Sequence, residues 1–242
     1  MSTIAAGNTS TTGLVQSSDT TGNLVFQTNG TTTALTLGTN QNATFAGGIT
    51  VAGAATFTTA LAGSTGAALV LIQSQTANNS ATLDFTTGIG STYDEYYFNI
   101  INLVPASGSN FYFRISEDNG ATFKAGASDY NQSAPSTRDD GAAGGATFCS
   151  TGQGQILLSS SSSSTASDGG VNGWVRLLAP SGTASKKSIM FHTAAQYASG
   201  FFSASGMGRY QGTTNAVNAV RFLFASGNIA SGTISLYGIK KS

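Results

Sequence analysis

Along the first 66 residues, apolar positions come as short alternating pairs between turn signals. Leu24 and Phe26 flank Val25, Leu35 and Leu37 alternate with threonine, and Ile49 and Val51 follow Gly47-Gly48. A period of two over so few residues predicts short strands. Asn29-Gly30 and Gly38-Thr39-Asn40 predict turns between them, because Asn and Gly tolerate positive φ. Ala43-Thr44-Phe45 recurs as Ala55-Thr56-Phe57, and solenoid-like stacking is one reading of that repeat. The same tripeptide stands at 121–123 and 146–148, so alone it decides little.

From residue 67 the apolar runs lengthen. Residues 68–72 read as a strand covered on both faces. Leu83 and Phe85 alternate with Asp84, and 93–104 predicts a long strand ending at Pro105. Phe111, Phe113 and Ile115 alternate with Tyr112 and Arg114. Further strands are expected at 155–158, 171–178, 188–192, 217–224 and 233–239, with loops over 133–145 and 159–170. No stretch carries helical periodicity. The pattern predicts an all-β chain: a short-stranded stem over 1–66, shared between chains, and a jelly-roll-like β-sandwich knob over 67–242.

Composition explains why the stem should be shared. The first 83 residues hold one charged side chain, Asp19, and no Lys, Arg, Glu, His or Pro. Burying a large apolar side chain is worth roughly 1.5–3 kcal/mol. Ordering a residue costs roughly 1–2 kcal/mol of backbone entropy. One bulky residue in every five or six does not balance that within a single copy, whereas symmetric association lets several copies face one axis. The other 19 of the 20 charges and all three prolines lie from Asp84 onward, which places the boundary near Gly63-Ser64-Thr65-Gly66.

Charge also excludes partners. Formal net charge is zero, so there is no electrostatic footprint for nucleic acid. The longest apolar run, 67–72, is far too short to span a bilayer. The one cysteine, Cys149, is expected as a buried, inert thiol. The sequence offers no metal-ligating cluster, no cofactor motif and no catalytic constellation, and a non-enzymatic role is expected. Asp94 and Glu95 are neighbours on a strand and point to opposite faces, so they cannot form a glycosidase pair with each other.

Ser116-Glu117-Asp118-Asn119-Gly120-Ala121-Thr122-Phe123 resembles the Asp-box hairpin known from sialidases and other β proteins. A structural turn is expected there: Asp118 accepting backbone N–H bonds, Gly120 at positive φ and Phe123 tucked under the hairpin. Trp174, Tyr130, Tyr197 and Tyr210 are the candidate receptor or interface aromatics, with a place in the core as the alternative.

The segments 1–12, 22–26 and 43–47 resemble the N-terminal parts of tailed-bacteriophage fibre and other virion appendage proteins. Residues 74–85, 93–96 and 231–239 resemble the distal β domain of such proteins. The resemblance implies a homotrimer anchored to other virion proteins through its N-terminal region. It implies a distal β-sandwich that meets a host surface glycan or protein, and a location in the virion after assembly in the host cytoplasm. A capsid decoration or head fibre, a depolymerising tailspike and a monomeric carbohydrate-binding module remain the alternatives.

Overall fold

The computed structural model describes residues 2–6, 14–17, 22–28, 32–39, 43–46, 69–139, 149–159, 165, 169–197 and 200–239. Within them the chain is all β. It divides into two units, Met1–Ser64 and Thr65–Ser242.

The N-terminal unit carries β1 (Ser2–Ala6), β2 (Leu14–Ser17), β3 (Leu24–Thr28), β4 (Thr32–Leu37) and β5 (Ala43–Phe45). They form one sheet in the order β2-β1-β3-β4-β5. The β1–β3 pair is parallel and the rest are antiparallel. Leu35 stands between Phe26 and Phe45 across three strands. Among the residues of this unit with described exposure, only Val25 is buried, and Phe45 is 46% exposed. The second Ala-Thr-Phe copy and the Ile49/Val51 pair lie outside the described residues.

The C-terminal unit continues with β6 (Leu69–Thr76), β7 (Leu83–Phe85), β8 (Glu95–Pro105), β9 (Phe111–Ser116), β10 (Tyr130–Ser133) and β11 (Ser136–Arg138). Then come β12 (Ser150–Gln153), β13 (Ile156–Ser159), β14 (Val171–Leu178), β15 (Ser188–Tyr197), β16 (Gly200–Tyr210), β17 (Ala219–Phe224) and β18 (Ile229–Ile239). The larger sheet runs β12-β10-β16-β15-β14-β8-β18-β6, with β11 also on β16. The smaller runs β13-β9-β17-β7. The chain alternates between sheets from β6 to β10, and β14, β15 and β16 form a meander within the larger one. That alternation is common to two-sheet β folds and does not by itself make a jelly roll.

The two sheets share one core. Strand β8 alternates strictly over its first half: Tyr96, Phe98 and Ile100 are buried, while Tyr97, Asn99 and Ile101 face outward. Phe98 meets Phe85, Phe113 and Phe222 of the smaller sheet, with ring centroids 5.4, 6.4 and 5.3 Å away. Such edge-to-face contacts add to the burial of each ring.

Three expectations need correction. Residues 69–71 are not covered on both faces: β6 is the edge of the larger sheet, and Leu69, Val70 and Leu71 are exposed. Cys149 is exposed, because it enters edge strand β12. Strands β10, β11, β12 and β16 appear where the pattern gave no strand. In β16 the inward positions include Gly206 and Gly208, since Ala134 and Ile156 already fill the space a Cβ would need. Pro135, which lacks an N–H, separates β10 from β11 along the same partner strand.

Candidate functional site

The outward face of the larger sheet gathers side chains that are far apart in sequence. Register lays Tyr237 beside Tyr97, Tyr97 beside Arg176, Arg176 beside Met190 and Met190 beside Met207. The neighbouring row sets Asn99, Trp174, His192 and Ser205 side by side. Tyr97 stacks on Trp174 with centroids 6.2 Å apart and meets Tyr237 at 6.4 Å. Trp174 lies 6.3 Å from His192.

The four rings form a half-buried ladder whose members shield one another. Burial raises the Tyr97 hydroxyl pKa, and the neighbouring Arg176 charge partly offsets it. Arg176 is itself held charged by a hydrogen-bonded ion pair with Glu95.

Beyond Met207 the face opens into a groove of about 710 Å³ beside β10, β12, β15 and β16. Arg209 stands between Ser188 and Asn131 across three strands. Asn131 Oδ1 accepts the Gly152 N–H at 3.0 Å, and the Ser133 hydroxyl lies 3.2 Å from the Cys149 thiol. Gln132, between them in sequence, points inward and holds Leu157. No Asp or Glu is among the described residues lining this groove. Strands lie about 4.8 Å apart, so the ladder and groove sit within reach of one extended ligand.

Trp174 therefore lies on this face. Tyr130 and Tyr210 do not: both are core rings, with centroids 5.6 Å apart. The Tyr130 hydroxyl accepts the Ile115 N–H at 2.9 Å and donates to the Lys124 carbonyl at 3.2 Å, which fixes it inside. A receptor-contact role is withdrawn for these two. The Tyr197 side chain lies outside the described residues. Tyr97, Tyr237 and His192 were missed as site residues because their proximity depends on register between distant strands; alternation alone marks only that they face outward.

The expected turn is formed at 116–123. Asp118 Oδ1 accepts the Ser116 hydroxyl at 2.6 Å and the Thr122 N–H at 2.9 Å, and Oδ2 accepts the Thr122 hydroxyl. Gly120 has φ +86°, and a Cβ there would collide with Thr86. Phe123 lies beneath Arg221, whose guanidinium carbon is 4.0 Å from the ring centroid. Arg221 is held by two hydrogen bonds to Asp84, at 2.8 and 2.6 Å. Hydrogen bonds from Ser116 first, then from Thr122, pull the Asp118 pKa down to about 2. The Asp118 contacts serve the hairpin, and the Asp84–Arg221 pair joins β7 to β17.

Lys187, 1% exposed, donates from its ammonium to the carbonyls of Gly182, Ser185 and Thr214 at 2.6–2.9 Å. It ties two loops together, and burial lowers its pKa. Among the described residues no three His, Cys, Asp or Glu side chains gather to hold a metal. No protein-family model, curated protein or solved structure matches this chain.

Proposed function

We propose that this protein is a structural virion fibre, a homotrimeric tail fibre that attaches to the particle through its N-terminal unit and meets the host surface through its C-terminal sandwich. The observation that carries the reading is the N-terminal sheet, in which Val25 alone is buried among the residues of described exposure. Five strands with no described apolar layer behind them are incomplete as a solitary object. Copies of the same sheet, sharing Phe26, Leu35 and Phe45, supply the missing layer.

The outward face of the sandwich suits recognition rather than turnover. Flat rings and uncharged polar groups make many weak contacts, which three copies multiply by avidity. Glycoside hydrolysis uses two facing carboxylates, and the described lining of the groove offers none. The tail assignment rests on the segment resemblances; a capsid decoration or head fibre is the alternative carried by the same stem.

Sedimentation of the purified chain tests the oligomer: about three times 24.4 kDa is expected. Antibody labelling of particles tests the location. Label at the tail supports the assignment, and label over the capsid transfers it to the head.

A further inference from the structure

The groove beyond the aromatic ladder has a charge its surroundings do not answer. The whole chain is formally neutral, yet Arg209 has no ion pair among the described residues. Lys186 is not among the described lining residues, and its ammonium donates to the Gln211 carbonyl and side-chain oxygen. Around Arg209 stand uncharged hydrogen-bonding groups, Asn131, Ser133, Ser188 and Gln211. Because the Gly152 N–H occupies Asn131 Oδ1, the amide NH2 is left as a donor. Met207, 47% exposed, forms an apolar patch beside them.

Each of these features selects the same chemistry. A planar guanidinium pairs best with an oxyanion that accepts two parallel N–H bonds. Hydroxyls and amides on rigid strands suit a polyol, because strands hold their donors and acceptors in fixed places. A thioether packs against the C–H face of a ring without demanding a particular polarity. Arg209 is the one cation among the described residues lining the groove, and a single positive charge fits a carboxylate, whereas a phosphate monoester would bring about two negative charges.

We propose that this groove binds a carboxylate-bearing saccharide. Arg209 pairs with the carboxylate, Asn131 and Ser188 hydrogen-bond ring hydroxyls, and Met207 packs against the sugar. The aromatic ladder beside it stacks further residues of the same glycan. This rests on reading the outward face as the recognition surface of the fibre.

The test uses the intact chain and isothermal titration with trigalacturonate, a glucuronate disaccharide and sialyllactose. Each is paired with its carboxyl-reduced form, and glucose 6-phosphate serves as the phosphate arm. At least one acidic probe should bind, and its reduced form about tenfold or more weakly, since a charge-assisted pair is lost. Arg209→Gln should weaken the acidic probe by a similar factor. So should Asn131→Asp, which keeps the acceptor for Gly152 and places a carboxylate opposite Arg209.

Equal binding of the reduced form overturns the proposal. So does binding indifferent to both substitutions, binding of glucose 6-phosphate alone, or no binding of any acidic probe at millimolar concentration. Sedimentation of the same samples separates the two readings: an oligomer that ignores acidic sugars removes the groove's role and keeps the fibre. A single-chain species that binds them removes the fibre and keeps the groove.

Discussion

The two units of this chain are made from the same kind of strand and differ in what lies behind it. In Thr65–Ser242, Phe98 of one sheet projects among Phe85, Phe113 and Phe222 of the other, and each sheet buries its partner's apolar face. In Met1–Ser64, Leu24, Phe26, Leu35 and Leu37 also alternate, but they remain half-exposed. Threonine, alanine and glycine suffice to write a hydrogen-bonded ladder. A second apolar layer decides whether that ladder outweighs the entropy of ordering it. One unit contains that layer within the chain, and in the proposed fibre the other draws it from further copies.

The sharpest way to break this contrast is to separate the units. Thr65–Ser242 alone should melt in one cooperative transition followed by circular dichroism. Residues 1–64 alone should show no such transition as a monomer. A cooperative melt from the isolated monomeric leader would erase the distinction.

Single substitutions should then act on one side only. Phe222→Ala removes the ring that meets Phe85, Phe98, Phe111 and Phe113. It should cost the C-terminal unit about 3–5 kcal/mol, read as a lower urea midpoint at unchanged slope. Leu35→Asp should leave that midpoint in place and reduce the sedimenting mass to one chain.

Smaller changes sharpen the picture of the sandwich alone. Gly120→Ala forces a side chain into positive φ against Thr86. The backbone term alone should lower stability by about 1–2 kcal/mol, measured by denaturant titration. The smallest effect is in acid. Asp118 is held at about 2, by Ser116 first and then Thr122, so the unfolded chain takes up its proton before the folded one does. The stabilisation is present above the usual carboxylate value of about 3.9 and disappears as pH falls toward about 2. Asp118→Asn should flatten that part of a Tm-against-pH profile.

The sequence made parts of this legible for a physical reason. Strands β8, β9 and β17 bury large side chains at every second position, so alternation alone announces them. The hairpin at 116–123 is equally local, since Ser116, Asp118, Gly120 and Thr122 serve one another within a few residues. Strand β16 escaped because its inward Gly206 and Gly208 make room for Ala134 and Ile156, leaving no apolar mark of their own. Residues 69–71 misled because an apolar run looks alike in a sheet's middle and at its edge. The aromatic ladder was out of reach of periodicity. Tyr97 and Trp174 meet through the register of β8 on β14, and Arg209 meets Asn131 through that of β16 on β10.

The most direct test of the shared stem is amide hydrogen exchange over β3 and β4, measured on the intact chain during serial dilution with sedimentation in parallel. Protection of Leu24–Thr28 and Thr32–Leu37 should accompany a species of about three chains and vanish when that species dissociates. Full protection of both strands in a 24.4 kDa single-chain species would contradict the account.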